Sequence, residues 1–288
     1  MELDLRELTP IQFMGTEMNF ESSKAVIVPL PYSSVVHTEN TVNGPMEILF
    51  AWNFEEFDLE LGYEPSSVGV YPLPERQYVG EKGFNQIQNL AERLFESKKF
   101  PVFLGGDHSV TIATTAGLKG LKDTSIICFD AHSDLKNEYE GSQFSHMCVN
   151  RRISEKTDVY IIGNRSIGKE ELEYVKTTNV NAYGKLSGDE LREILDKSSD
   201  EVYISIDVDV FTPSVMPAVT MPEQDGLTWQ EVIKTLKVLF QHKNVVGMDI
   251  TELSPIPNFT SPNALCAQLA YKCIGYKFAK KETESSLF

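Results

Sequence analysis

The sequence predicts a single α/β domain over residues 1–288, in which helices cover both faces of an eight-stranded, mostly parallel sheet to give three layers. Apolar, β-branched runs recur without the alternation of a half-exposed strand, which is typical of strands buried on both faces. Helical periodicity appears between these runs, and strands that alternate with helices imply a parallel sheet. The chain shows no internal repeat, linker or shift in composition, which favours one domain.

The predicted strands are the apolar runs, and AVIVPL, SIICFD, VYISID and VVGMDI are clear examples. In chain order they are Lys24–Leu30, Ser67–Pro72, Pro101–Gly105, Thr124–Asp130, Asp158–Gly163, Asn179–Tyr183, Glu201–Asp207 and Val245–Ile250. In sheets of this kind ligands bind at the carboxyl ends of the strands, so we expect the chemistry there.

The predicted helices lie between the strands, and two of them begin with a capping-box pattern. Ser187 is followed three residues later by Glu190, and Thr228 is followed in the same way by Glu231. The predicted helices are Glu81–Ser97, Lys169–Thr177, Gly188–Lys197, Thr228–His242 and Ser261–Lys280. The residues after the last helix, Glu282–Phe288, are expected to fray.

Composition excludes several classes of function. The formal net charge of −16 repels phosphate backbones, so we expect no nucleic-acid partner. No apolar run reaches the ~18 residues that span a bilayer, and the acidic N-terminus is unlike a signal peptide. The four cysteines form no CxxC pair and are expected to be buried free thiols. A cytoplasmic protein without a membrane partner is predicted.

Two motifs place candidate ligands directly after predicted strands. Gly105-Gly106-Asp107-His108-Ser109 follows the third strand, and its paired glycines favour a tight turn that presents His108. Asp130-Ala131-His132-Ser133-Asp134 ends the fourth strand. In an extended chain residues i, i+2 and i+4 point to one side, so Asp130, His132 and Asp134 can converge. A strand-end hydrogen-bond cluster without metal is the alternative interpretation.

A third motif, Ser205-Ile206-Asp207-Val208-Asp209, ends the seventh predicted strand. Asp207 and Asp209 project to one side, which favours a metal or an acid–base role over a solvated loop. Together the three motifs supply four carboxylates and two imidazoles, and this donor set suits Mn²⁺. Four negative charges balance two divalent cations, and such a pair can hold a hydroxide at neutral pH. The sequence therefore predicts a hydrolytic site.

The three motifs resemble the signature stretches of the ureohydrolase family, which includes arginases, agmatinases and formiminoglutamases. The third stretch extends to SIDVDVFTPSVMPAVTMPEQDG, and the resemblance covers Val28 to Ala270. It implies the arginase-like fold and two Mn²⁺ per subunit. One ion would be held by His108, Asp130, Asp134 and Asp207, and the other by Asp130, His132, Asp207 and Asp209. It also implies a homo-oligomer, either a trimer or a hexamer.

The resemblance also assigns catalytic roles to three residues. His146 matches a proton-shuttling histidine, and a histidine titrates near neutral pH. Glu252 matches a guanidinium-binding glutamate, because a carboxylate can pair with a planar guanidinium. Asp249 lies in the same run, but the family's spacing favours Glu252. Asp134, a predicted ligand, would also help to pass a proton to the leaving amine.

The substrate prediction rests on the segments that arginases use to hold the α-amino and α-carboxylate groups of arginine. After Gly163-Asn164-Arg165, Gly168 stands where arginases have Asp, and the loop before His146 is one residue shorter. The resemblance therefore implies an agmatinase-like enzyme that cleaves agmatine, a small cationic guanidino substrate, to urea and putrescine. We hypothesise that Glu138 or Glu140 meets the cationic end of the substrate.

Three alternatives stay open. The same chemistry could act on arginine, guanidinobutyrate or aminopropylagmatine. A second class of function is a non-catalytic, metal-containing protein that binds polyamines. A third is a deacylase on a related fold, which would need one zinc ion.

Overall fold

A computed structural model describes residues 19–52 and 57–279 and contains all eight predicted strands. They are β1 (Ala25–Leu30), β2 (Val70–Pro72), β3 (Phe100–Gly105), β4 (Thr124–Phe129), β5 (Val159–Ile162), β6 (Val180–Tyr183), β7 (Glu201–Asp207) and β8 (Asn244–Thr251). They form one sheet in the order β2-β1-β3-β8-β7-β4-β5-β6. Every neighbouring pair is parallel, where the sequence predicted a mostly parallel sheet.

The second predicted strand, Ser67–Pro72, begins later than expected. Residues Pro65–Val68 form a 3₁₀ turn, and β2 starts only at Val70. Gly69 separates the two with a φ of 81°, and a Cβ there would lie 2.9 Å from the Cα of Ser23. The close approach of two main chains therefore sets where this edge strand can start.

The helices are α1 (Gly44–Ala51), α2 (Gly80–Glu96), α3 (Val110–Ala116), α4 (Val149–Ser154), α5 (Lys169–Thr177), α6 (Gly188–Lys197), α7 (Trp229–His242) and α8 (Ser261–Phe278). The five predicted helices correspond to α2 and α5–α8, and α3 directly follows the motif that contains His108. The predicted end at Lys280 and the tail Glu282–Phe288 lie outside the described residues. The sequence missed α1 and α4, because eight and six residues are too few to establish a helical period.

Both predicted capping boxes are confirmed. Ser187 Oγ accepts the N–H of Glu190 at 3.2 Å, and Glu190 Oε2 accepts the N–H of Ser187 at 2.7 Å. Thr228 and Glu231 form the same reciprocal pair, at 3.3 and 2.7 Å. These short local patterns satisfy the first free N–H groups of α6 and α7.

Two hydrophobic clusters lie on opposite faces of the sheet. In β1, Ala25 and Ile27 belong to one cluster, whereas Val26 and Val28 belong to the other. Residues of α1, α6, α7 and α8 complete the first cluster, and residues of α2, α3 and α4 complete the second. Because successive side chains of a strand point to opposite faces, this division gives the three predicted layers.

The motif segments meet at one edge of the sheet. Strands β3, β8, β7 and β4 are consecutive neighbours in its centre. His108 follows β3, Asp130 follows β4, Asp207 ends β7 and Glu252 follows β8. Parallel strands share the edge at which they end, so these side chains come together although they are far apart in the sequence.

The cysteines are buried free thiols, as predicted. Cys128 lies in β4 beside the motif edge, with its Sγ 3.8 Å from His108 Nε2. Among the helices formed by residues 19–52 and 57–279, none is long and apolar enough to cross a membrane.

Candidate metal centre

The six predicted ligands converge at the ends of β3, β4 and β7. His108 and Asp130 are fully buried, and the other three carboxylates are almost completely buried. His132 is the most accessible member, with 13% of its side chain exposed. The side chains divide into two groups, each organised around the Nδ1 atom of one histidine.

The inner group surrounds His108. Its Nδ1 lies 2.9 Å from Asp134 Oδ2, 3.2 Å from Asp130 Oδ2 and 3.5 Å from Asp207 Oδ2. These are the three carboxylates that the resemblance implies for one ion together with His108.

The outer group surrounds His132. Its Nδ1 lies 2.8 Å from Asp209 Oδ2 and 3.8 Å from Asp130 Oδ1. One ligand atom from each of these three residues lies within 4.8 Å of the others. Asp130 therefore faces both groups, one oxygen toward each histidine, as a bridging carboxylate would.

The ligands converge by a different route from the extended chain that the sequence predicted. β4 ends at Phe129, and Asp134 has a φ of 49°, in the left-handed region. Asp130 Oδ1 accepts the N–H of His132 at 2.6 Å, and Asp207 Oδ1 accepts the N–H of Asp209 at 2.9 Å. Aspartate favours such local side-chain-to-backbone turns, so the acids themselves bend the chain around the site.

The paired glycines before His108 are needed for space rather than for a left-handed turn. A Cβ on Gly106 would overlap the main-chain oxygen of Tyr32, and one on Gly105 would lie 2.5 Å from Val110. Neither glycine has a positive φ. The N-terminal segment around Tyr32 can thus pack directly against the motif.

Burial concentrates negative charge in this cluster. Burial first, and then the charges of Asp134 and Asp209, raise the pKa of Asp130 to about 7. Burial, followed by Asp209 and Asp130, raises the pKa of Asp207 well above its ordinary value. Carboxylates so placed resist charging without nearby cations. A donor set of four carboxylates and two imidazoles fits a pair of hard divalent cations.

The far side of His108 is held by a buried polar network. His108 Nε2 lies 3.0 Å from Ser205 Oγ, which donates to Asp249 Oδ1 at 2.7 Å. Tyr203 donates to the other oxygen of Asp249, also at 2.7 Å. Asp249 therefore lies behind the inner group, which separates its place from that of Glu252.

A small cavity opens on the outer side of the ligands. Glu252, with a φ of 67°, accepts the N–H of His108 on Oε1 at 2.7 Å. The His146 ring packs edge-to-face on Tyr139, with centroids 5.6 Å apart. The lining comprises four predicted ligands, Glu252, His146, Thr38, Met147, Thr220 and Met221.

The loop before His146 arranges its charges differently from our hypothesis. Glu138 lines a neighbouring depression beside Lys169 at the start of α5, and Glu140 lies exposed in the Tyr139–Ser142 turn. Neither glutamate is among the described residues that line the cavity. Instead, Lys136 Nζ lies 4.7 Å from the Tyr139 ring centroid and 3.7 Å from Met147 Sδ.

Three residues near the centre were not selected from the sequence. Ser205 precedes Asp207 and contacts His108, but only the pairing of distant strands reveals that contact. Glu223 Oε1 lies 3.7 Å from His132 Nε2. Arg165 appeared only as part of a Gly-x-Arg segment, whereas its guanidinium donates to main-chain oxygens of both Asp209 and Glu223. The only sequence signal would be a serine within the third motif, together with one glutamate and one arginine in flanking loops.

The chain is similar to proteins of one known family over most of its length. The model of the Arginase family matches residues 23–275. The chain is 36% identical over 269 residues to the N(1)-aminopropylagmatine ureohydrolase of Thermus thermophilus, covering 90% of this chain and 92% of the relative. It is 31% identical over 268 residues to the agmatinase of Bacillus cereus, covering 88% and 92%.

Solved structures agree with the fold. The crystal structure of the agmatine ureohydrolase of Thermoplasma volcanium aligns with a TM-score of 0.81 and 26% identity. The alignment covers 96% of this chain and 95% of that structure. The eight-stranded parallel sheet and its helical layers therefore match a known enzyme architecture over nearly the whole chain.

Proposed function

The chain belongs to the arginase family, and on this premise we propose that it cleaves agmatine or N(1)-aminopropylagmatine into urea and an amine. The observation that carries the proposal is the convergence of the inner and outer groups beside Glu252 at one end of the sheet. The names of the two relatives support these two substrates.

We assign two divalent cations to the six ligands. His108 and Asp134 would hold one, His132 and Asp209 the other, and Asp130 and Asp207 would contribute to both. The oxygen-rich donor set favours manganese. When bound, such a pair lowers the pKa of water and so supplies a hydroxide nucleophile near neutral pH.

Glu252 is assigned to the guanidinium group. Its Oε1 is fixed by the N–H of His108 at 2.7 Å, and its side chain lines the cavity. A fixed carboxylate pairs with two N–H groups of a planar guanidinium and so sets the position of the central carbon.

His146 and Asp134 are assigned to proton movement. Asp134 lines the cavity and would pass a proton to the leaving amine, whereas His146 would exchange protons with solvent. His146→Ala is expected to lower kcat about 100-fold with a smaller effect on KM. His242→Ala, at the exposed end of α7, is the control. Full kcat in His146→Ala would remove the shuttle.

The segment at Gly168 supports a substrate without an α-amino acid head. Glu171 Oε2 accepts the N–H of Gly168 at 2.7 Å, and Oε1 accepts from Leu135 N and Ser133 Oγ at 3.0 and 2.8 Å. This buried carboxylate is thus occupied in holding the loop. Gly168 offers no side chain for an α-amino group.

Lys136 favours a second candidate. Its ammonium lies 3.7 Å from Met147 Sδ, and Met147 lines the cavity. A cation in this position would repel a diamine tail and attract a carboxylate, as in guanidinobutyrate or arginine. The same hydrolysis on a guanidino compound that carries a carboxylate is therefore the alternative.

Urea release by the Mn²⁺-reconstituted protein tests these proposals. Agmatine, N(1)-aminopropylagmatine, guanidinobutyrate and arginine are compared at equal concentrations. Turnover of either of the first two supports the primary proposal, and turnover confined to the last two supports the alternative. Two bound ions without urea from any of the four would favour a non-catalytic polyamine-binding protein.

A further inference from the structure

The two ring nitrogens of His132 have very different surroundings. Nδ1 faces Asp209 and Asp130 in the outer group. Nε2 is buried and has no hydrogen-bond partner among the residues that the structure describes. A metal-binding histidine nearly always donates its other N–H to a carboxylate, carbonyl or water, which fixes the ring and its tautomer. His108 has Ser205 in that position, whereas His132 lacks an equivalent contact.

Glu223 is the acid placed to fill this role. Its Oε1 lies 3.7 Å from His132 Nε2, and 39% of its side chain is exposed. A hydrogen bond of about 2.9 Å needs a shift of only about 1 Å, which a partly exposed side chain can make by rotation.

The main chain of Glu223 is already tied to the outer group. Arg165 Nη2 donates to the carbonyl oxygen of Glu223 at 3.1 Å and to that of Asp209 at 2.7 Å. Arg165 Nε donates to the carbonyl oxygen of Gln224 at 2.9 Å. The guanidinium therefore holds the loop beside the strand end that carries Asp209, and only the glutamate side chain needs to move.

We propose that Glu223 is the positioning residue of the outer group. It accepts the Nε2–H of His132 and thereby holds Nδ1 toward Asp130 and Asp209, so that the affinity for the outer cation depends on it. This inference rests on the proposed function, which assigns a second cation to that group.

The test measures Mn²⁺ binding to the metal-stripped protein by calorimetry and by metal analysis after graded chelation. Glu223→Ala should bind the outer ion about 10- to 100-fold more weakly and leave the inner ion unchanged. Glu223→Gln keeps an acceptor oxygen and should lie between Glu223→Ala and the wild type.

Asp225→Asn is the matched control. Asp225 lies in the same loop, has 88% of its side chain exposed, and pairs with Lys185 at 2.7 Å. Its φ of 58° is one that asparagine tolerates. This variant should bind both ions as the wild type does.

Unchanged affinity for both ions in Glu223→Ala would overturn the positioning role. So would unchanged metal affinity with a raised KM for agmatine, because Glu223 would then act on the substrate. A wild-type protein that binds no second ion would instead contradict the proposed function, and this outcome is visible without any variant.

Discussion

The inner and outer groups of the candidate centre differ in how their histidines are supported. The His108 side chain is 1% exposed, and its second nitrogen contacts a network of Ser205, Asp249 and Tyr203 within the sheet. The His132 side chain is 13% exposed, and the partly exposed side chain of Glu223, in a loop, lies beyond it. The two groups have similar donor atoms, but strands of the sheet hold the histidine of the inner group, whereas a loop lies beside the histidine of the outer group.

This difference implies that the two cations are held with unequal strength. A ligand whose orientation is fixed before binding loses less entropy when the ion arrives. We therefore expect the inner ion to be held more tightly and the outer ion to exchange more readily.

Asp130→Asn should damage the inner and outer groups at once and so remove the difference between them. Asp130 directs one oxygen to each histidine, and the amide carries no charge to balance the cations. Urea release should fall on the order of 10³-fold or more, with loss of bound Mn²⁺. Asp123→Asn, an exposed acid before the opposite end of β4, should have no effect. Two retained ions with full activity would contradict the shared role.

Ser205→Ala should weaken the inner group alone. The substitution removes the hydroxyl between His108 and the buried Asp249, and the inner ion should bind about 10- to 100-fold more weakly. Ser125→Ala is the control, because Ser125 is buried in β4 but pairs with Ser199 away from the centre. Weakened binding of the outer ion with an intact inner ion would reverse our assignment.

Stepwise chelation of the wild-type protein should show whether the inner ion is held more tightly than the outer ion. If the hydrogen bonds that hold the two histidine rings differ by about 1 kcal/mol, the affinities for the two ions should differ about fivefold. The outer ion should then leave first. Metal content and urea release are followed together as chelator is added. Simultaneous loss of both ions at every chelator concentration would contradict this expectation, because it would show that the two groups hold their ions equally tightly.

Thr228→Ala should have the smallest effect and separates global stability from the centre. It removes the capping hydroxyl of α7, so the free energy of unfolding should fall by about 1 kcal/mol. Denaturant unfolding of the metal-free protein measures this change. Both metal affinities should stay at wild-type values. A change in either would mean that metal affinity depends on the global stability of the fold.

The sequence predicted the features that depend on local patterns. Long amphipathic helices such as α7 and buried strands such as β4 carry enough residues to show their period, and the capping boxes lie within four residues. The helices α1 and α4 are too short to do so. The start of β2 depends on a contact between Gly69 and Ser23, which no local pattern contains.

The candidate ligands followed from the motifs, but their support did not. Ser205 lies 97 residues from His108, and Glu223 lies 91 residues from His132, so neither pair is visible before the strands are arranged. The turn at Asp134 was also missed, because an extended chain would place the same residues on one side. The distinction between inner and outer groups therefore comes from tertiary packing.

The contacts of Arg165 have a consequence for how new specificities can arise. Its guanidinium lies within hydrogen-bonding distance of six main-chain oxygens, those of Gly163, Asp209, Val210, Phe211, Glu223 and Gln224. Since only the backbone is held, the side chains of Thr220 and Met221, which line the cavity, can be replaced while the loop keeps its path. Mutation or engineering can thus vary the mouth of the cavity on a constant frame, and lysine in place of Arg165 could not supply that planar set of donors.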